Sequence, residues 1–313
     1  MIASHRPFRF GVQASKVATR AEWVALARRV EANGYDVLTM PDHFTDQLAP
    51  VPALMCAADA TESLRIGALV WDNDYKHPVV LAKELATMDV LSDGRVEIGI
   101  GAGWMRTDYD QAGMVYDTPG VRVDRFVEGL AVMKGVFAQG SFSYTGTHYT
   151  ISGYDGLPKP VQRPWPPFLV GGGGKRVLGI AAREADIIGI NGNMAAGHVG
   201  PEAIASMTAE AVDEKLGWVR DAAGDRFGDI ELNVRAFMVN VTNERASTTK
   251  GIAQMIGFTS EQVLATPFAL IGTPAQIADD LRVRRERWGF SYVIVGADDI
   301  DSFAPVVAEL KGR

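Results

Sequence analysis

The sequence predicts an α/β fold: a (β/α)8 TIM barrel with insertions after strands 4 and 7, read as one domain over residues 1–313. Three observations predict it. Short apolar runs alternate with helix-period segments eight times. The first strand and its turn, 10-FGVQASKVA-18, lack the dinucleotide fingerprint that an open doubly wound sheet usually carries there. Glycine-rich and polar segments follow directly on the strand ends, where a barrel builds its working face.

Taken in order, 8-FRFGVQ-13 is the first strand, and helix 1 spans residues 21–32 with Trp23, Leu26, Ala27 and Val30 on one face. Strand 2 is 34-GYDVLTM-40, stopped by Pro41; a helix follows at 51–60. Strand 3 is 64-LRIGALV-70, and the helix at 79–91 buries Leu81, Leu85, Met88 and Leu91. Strand 4 is 95-RVEIGIG-101, followed by a loop and a long helix marked by Val123, Phe126, Val127, Leu130 and Val136. The rhythm breaks at 141–168, where 144–149 reads as a hairpin around Gly146 and five prolines lead into strand 5, 168-FLV-170. Strand 6 is 186-DIIGI-190, and a helix covers 202–222. Strand 7 is read as one run, 230-IELNVRAFMVNV-241, followed by an irregular stretch at 242–270 that contains a helix. A helix opened by 272-GTPAQIADDL-281, with Thr273 as N-cap and Pro274 in the first turn, leads to strand 8, 291-SYVIVG-296.

Hydrophobic residues make up 47% and charged residues 22%, the balance of a globular chain with a full core. A net charge of −7 excludes a nucleic-acid surface or a polybasic membrane contact. The start, MIASHRPFRFGVQ, has no apolar leader core and no segment reaches spanning length, so a cytoplasmic protein is expected. The one cysteine, Cys56, sits in an apolar helical run and reads as a core thiol rather than a nucleophile. The histidines at 5, 43, 77, 148 and 198 have no zinc-site spacing, so no metal is expected; His5 and His198 are assigned no role. No G-x-S-x-G elbow is present.

The strand ends carry the candidates. After strand 2, His43 in 41-PDHF-44 is either a hydrogen-bonding or proton-relay group influenced by Asp42, or a surface residue after a capping Asp42. After strand 3, 69-LVWDNDYKHP-78 is either a polar rim or a turn in which His77-Pro78 simply starts a helix. After strand 4, Gly99, Gly101 and Gly103 either let something flat approach the backbone or form a tight turn, and Trp104 is a stacking wall or plain core. After strand 5, 171-GGGGKR-176 matches neither G-x-G-x-x-G nor a P-loop. It reads as a strand, a glycine turn and a helix N-terminus, with amides and two cations aimed at an anion. The alternative is a flexible turn with solvated cations, and barrels more often place phosphate after strands 7 and 8.

These residues together resemble the luciferase-like flavin and deazaflavin oxidoreductases, within them the F420-dependent branch of actinobacteria. The matching pieces are 34-GYDVLTMPDHF-44, 64-LRIGALV-70 with His77-Pro78, 89-DVLSDGRVEIGIGAGWMRTDYDQAG-113, 144-YTGTHYTI-151 and 166-PPFLVGGGGKRVLGIAAREAD-186. The resemblance thins out from residue 195 onward. It implies a luciferase-like barrel, assembled as a homodimer, that binds coenzyme F420 or FMN in its mouth and acts on a small-molecule substrate. His43 would face the ring beside Asp42, and a bulge at Ala68-Leu69, often with a non-proline cis peptide, would back it. Gly101, Ala102 and Gly103 would pass under the cofactor side chain; Gly172, Gly173, Gly174, Lys175 and Arg176 would take its phosphate. Trp71 and Trp104 would wall the site. The activity implied is hydride transfer between F420 and an organic substrate; the alternatives are an FMN-dependent monooxygenase using reduced flavin and dioxygen, and a binding protein without turnover.

Overall fold

The computed structural model describes residues 6–313; His5 lies outside the described residues. Eight strands form the barrel: β1 (Arg9–Gln13), β2 (Val37–Met40), β3 (Arg65–Ala68), β4 (Val96–Gly101), β5 (Phe168–Gly172), β6 (Ile187–Ile190), β7 (Glu231–Arg235) and β8 (Phe290–Gly296). Each pairs in parallel with the next, and β8 pairs with β1, which closes the ring. Closure leaves no barrel strand with an unpaired edge.

Side chains alternate across a strand, so each level of the interior is set by every second residue. At the N-terminal end Arg9, Arg65, Glu97, Glu231 and Tyr292 meet. Arg9 bridges Glu97 at 2.5 Å and Glu231 at 2.7 Å, lies 3.6 Å over the Tyr292 ring, and shares Glu97 with Arg65 at 2.8 Å. Burial opposes the Glu97 carboxylate, but Arg9 and Arg65 outweigh it and hold its pKa below the usual range. Above this layer Val37, Leu169, Ile187, Tyr292 and Ile294 form a dry plug, with Leu69 and Val70 packed on it. Alternation then brings Gln13, Gly101, Gly171, Gly189, Arg235 and Gly296 inward at the C-terminal mouth, where four of these six positions have no side chain. Outward residues such as Phe10, Val12, Ile98 and Val170 join the main core under the helices.

The helices start where the capping signals stand. Thr19 caps Arg20–Ala32, and Thr273 forms a capping box with Gln276 at the head of Pro274–Trp288. The hairpin appears as Phe142–Thr145 with Thr150–Tyr154. Three elements differ from expectation. The run read as one strand 7 divides: Ala236 N still bonds the barrel through Ile294 O at 2.9 Å, but Phe237 N and Met238 N both turn to Phe268 O at 3.0 and 3.1 Å. Met238–Val241 then pairs with Ala269–Gly272 outside the barrel, and the intervening residues fold as helices Arg245–Ile256 and Ser260–Ala265. The run 230–241 is mostly apolar and contains no glycine or proline, so periodicity carries no mark of the turn-off. The helix read at 202–222 is two, Pro201–Ala205 and Ala209–Ala223, because Thr208 caps the second. The loop after strand 4 contains the helix Arg106–Ala112, too short for a periodic signal and ended by left-handed Gly113. No helix among the described residues is long and apolar enough to cross a membrane.

Replacing Arg9 by methionine strands Glu231 and leaves Glu97 with Arg65 alone. Arg9→Met is expected to cost about 3 kcal/mol of unfolding free energy, read as a lower denaturation midpoint; an unchanged midpoint would show that Glu97 and Glu231 do not depend on the guanidinium.

Candidate active site

The site is built on the C-terminal ends of β2 to β6. Just past β2, His43 Nδ1 lies 2.6 Å from Asp108 Oδ2, a contact that brings in the short helix Arg106–Ala112. Asp108 is 1% exposed and also accepts from Tyr75 Oη at 2.9 Å and from the Phe44 amide at 3.4 Å. A carboxylate receiving three donors acts as acceptor only, so His43 carries its proton on Nδ1. That leaves Nε2 as an acceptor in the neutral ring and a donor in the charged one. Trp104 stands edge-on to the imidazole, with ring centroids 5.6 Å apart. Its carbonyl is held by Tyr116 Oη at 3.0 Å.

Behind this dyad lies a second group of acids. Asp42 accepts the Asp72 amide at 3.1 Å; Tyr109 Oη reaches both Asp72 oxygens at 3.1 and 3.2 Å and Asp74 at 3.1 Å. Arg125, from the long helix Pro119–Phe137, forks onto Asp74 at 2.7 and 2.9 Å and reaches Asp117 at 2.9 Å. Burial raises the Asp42 pKa, and burial pushes the Asp72 carboxyl up to about 7, with Asp74 and Asp42 adding repulsion against the Tyr109 and Asp74 hydrogen bonds. Burial and the nearby carboxylates raise the Tyr75 and Tyr109 phenols, so both stay protonated and donate. Among the described residues no group of three or more histidine, cysteine or acidic side chains is placed to hold a metal ion.

The floor of the mouth is made by the end of β3. The Leu69–Val70 peptide is cis, one bond past the Ala68-Leu69 position expected from the resemblance, and the strand resumes at Trp71–Asp72 beside Ile100 and Gly101. Gln13 Nε2 donates to Leu69 O at 2.9 Å, and Arg235 Nε donates to Gln13 Oε1 at 3.1 Å, so a polar line runs across the mouth from β7 to β3. Burial lowers the Arg235 pKa to about 10. The glycines facing this bulge make room for it. A Cβ on Gly99 would overlap Ala68 O, one on Gly101 would come within 2.9 Å of Val70 Cγ2, and Gly171 faces Val70 at 3.5 Å. Gly103, at φ +75°, lies against Tyr109 Oη and Asp72.

The glycine loop leaves β5 on the same rim as His43, since both follow the C-terminal ends of parallel strands. Gly172 is crowded by Val177 of its own helix, and Gly173 by the carbonyls of Asn191 and Gly192, whereas a Cβ on Gly174 would meet nothing within 4 Å. Gly174 is the N-cap of Lys175–Glu184 and has no side chain to cap the first amides of that helix. The two cations part company. Arg176 pairs with Asp124 and bonds Gly120 O at 3.3 Å, which ties the loop to the long helix. Lys175 is exposed and has no ion pair among the described residues.

The structure thus brings together His43, Asp42, Ala68, Leu69, Gly101, Ala102 and Gly103 on one side of the mouth. Gly172 to Arg176 follow β5, the strand next to β4, on the same rim. Trp71 does not wall the site: it is 1% exposed and belongs to the layer beneath the helices. His77 caps the helix Pro78–Leu91, accepting from the Val79 amide at 3.3 Å, as the plainer of its two readings had it. Cys56 is half-buried rather than sealed in the core; it lines an apolar cavity of about 300 Å³ with Trp23, Leu48 and Pro52. Asp108, Tyr75, Tyr109 and Arg125 were not foreseen. Nothing in sequence joins Asp108 to His43, 65 residues earlier.

The family described as luciferase-like monooxygenase matches residues 4–239. An FMNH(2)-dependent dimethylsulfone monooxygenase of Pseudomonas fluorescens is 27% identical over 352 residues, 97% of this chain and 93% of that protein. Its counterpart in Pseudomonas putida is 29% identical over 240 residues, 73% of this chain, and there the match spans under two thirds, 62%, of the relative. An F420-dependent glucose-6-phosphate dehydrogenase of Microbacterium testaceum is 27% identical over 189 residues, 58% of this chain and 55% of that protein. Among solved structures, an F420-dependent tetrahydromethanopterin reductase from Methanopyrus kandleri superposes with a TM-score of 0.78 at 16% identity, covering 97% of this chain and 98% of that one. At that identity the likeness is one of fold.

Two outcomes follow from the acids. With Asp72 near 7 in the folded chain and near 3.9 unfolded, the folded state holds the extra proton between those values, so stability falls as pH rises through that window. Melting at pH 5.5 and pH 8 should show a loss in the wild type that shrinks by about 2–4 °C in Asp72→Asn; parallel curves would mean that Asp72 does not titrate. In Asp108→Asn the acceptor no longer fixes the ring, and nitrogen NMR of His43 should change from the Nδ1-protonated tautomer to a mixture.

Proposed function

This chain is a member of the luciferase-like monooxygenase family, and from that premise we propose that it is an F420-dependent oxidoreductase, moving a hydride between the deazaflavin and a small organic substrate. The observation that carries the proposal is the His43–Asp108 dyad on the same C-terminal rim of the barrel as an uncapped helix N-terminus. The residues fit such a cofactor. The glycine-lined floor with Leu69 and Val70 raised at its centre offers a flat apolar rest. The open space before Gly174 admits a phosphate to the amides of the helix, with Lys175 beside it.

Bound F420 would supply the hydride acceptor or donor. The chain does the rest. An alcohol that gives up hydride from carbon also gives up a proton from oxygen. His43 Nε2 takes that proton, and Asp108 on Nδ1 holds the resulting imidazolium; in the reverse direction the same nitrogen returns it. Trp104 limits the space beside the imidazole, and Tyr75 and the Phe44 amide keep Asp108 from swinging away. The same reading carries a homodimer.

A second reading, reduced FMN with dioxygen, is favoured by the relative that spans nearly the whole chain and by the commitment of Arg176 to Asp124, which leaves Lys175 as the loop's unpaired cation for a longer anionic tail. The phosphate loop serves either cofactor.

Purified protein should quench F420 fluorescence at micromolar concentration. Tight binding of reduced FMN without F420 binding would replace the first reading by the second. His43→Ala should lower turnover about 10²–10⁴-fold with little change in cofactor affinity; equal turnover in the variant would remove His43 from the chemistry. Sedimentation velocity tests the dimer.

A further inference from the structure

One buried cation has no part in the scheme above. Lys215, on the helix Ala209–Ala223, is 2% exposed and has no carboxylate partner within ion-pair distance among the described residues. Its ammonium donates to two backbone carbonyls, Asn191 O at 2.7 Å and Ser206 O at 2.5 Å. Burial lowers its pKa to about 8, with Glu214 working the other way, so at neutral pH it is still mainly charged. A desolvated ammonium with only carbonyl dipoles around it is costly, and such a charge calls for an account.

Its position supplies one. Asn191 follows β6 directly, and its amide bonds Gly172 O at 2.9 Å. The Asn191 carbonyl oxygen is 2.7 Å from Lys215 Nζ and also 2.7 Å from where a Cβ on Gly173 would stand. One oxygen atom therefore separates the ammonium from the back of the glycine loop. The helix that carries Lys215 also packs on Lys175–Glu184, whose N-terminus opens on the mouth. Without Lys215 the loop would be backed by the negative ends of the Asn191 and Gly192 carbonyls, which repel an anion.

We propose that Lys215 is a positioning residue of the phosphate site: a buried positive charge behind Gly172–Gly174 that offsets the carbonyls of Asn191 and Gly192 and favours an anionic phosphate on the loop's open side. This rests on the reading of the loop as the cofactor's phosphate site, and it adds a charged group from a different element. Lys215 does not touch the phosphate. It acts through the Asn191 carbonyl and through its field, which water screens little at this depth.

The test compares ligands with and without the phosphate: FMN against riboflavin, which differ in phosphate alone, and F420 against its chromophore lacking the phosphate-bearing tail, with affinities measured by fluorescence titration for wild type, Lys215→Met, Lys215→Gln and Lys215→Arg. The wild type should prefer the phosphorylated member of whichever pair it binds. In Lys215→Met that preference should fall about tenfold or more, with the dephosphorylated ligand bound as before, and Lys215→Arg should retain it. Lys215→Gln keeps a donor for Asn191 but no charge, so it should match the methionine variant and stands in for it should that variant fail to fold. Equal weakening of both members of a pair would make Lys215 a scaffold pin and overturn the proposal, as would an unchanged preference in the uncharged variants. A wild type with no preference for phosphate would instead remove the reading of the loop on which the proposal rests.

Discussion

Alternation along eight parallel strands is the constraint on which the rest of this molecule depends. Once the ring closes, every second residue must find a partner inside it, and each level of the interior has one solution. At the N-terminal end the solution is ionic, with Arg9 between Glu97 and Glu231. At mid-height it is apolar. At the mouth it is largely the absence of side chains, at Gly101, Gly171, Gly189 and Gly296. The vacated volume is not idle, because the end of β3 bends into it and Val70 comes to lie against Gly101 and Gly171. The floor of the site is therefore made by one strand entering space that two others leave.

That floor faces an unusual density of acid. Asp42, Asp72, Asp74 and Asp108 lie within one hydrogen-bonded neighbourhood, and the donors that answer them come from elsewhere in the chain. Arg125 arrives from the long helix, and His43 takes Asp108. Tyr75 and Tyr109 supply phenolic donors without charge. Two kinds of carboxylate result. Asp108 is saturated with donors and orients an imidazole, whereas burial and its neighbours push Asp72 toward the proton-bound form at neutral pH. Environment assigns different tasks to chemically identical groups.

The glycine loop shows how a motif divides between folding and function. Gly172 and Gly173 are required by packing, against Val177 and against the chain after β6. Gly174 is free of such contacts and holds the N-terminus open. Its cations divide in the same way, Arg176 serving the link to Asp124 and Lys175 remaining at the surface. A run of four glycines and two cations is thus partly a joint between β5, β6 and the insertion after β4, and partly a place where backbone donors remain available.

By itself the sequence determined the repeating order of strand and helix, the caps at Thr19 and Thr273, the hairpin near Gly146, and the rim on which His43 and the glycine loop both stand. These are local or periodic properties, written within a few residues or repeated at fixed spacing. Only the tertiary structure decided that the chain leaves the barrel after Ala236, since 230–241 has no glycine or proline to mark a break and the turn-off is made by Phe268 O, some 30 residues away. The same holds for the partner of His43, for the burial of Trp71, and for the place of Lys215 behind Gly173. Pairing across 65 residues, or between a helix and a loop from another unit, depends on how the ring closes, and no spacing along the chain records it.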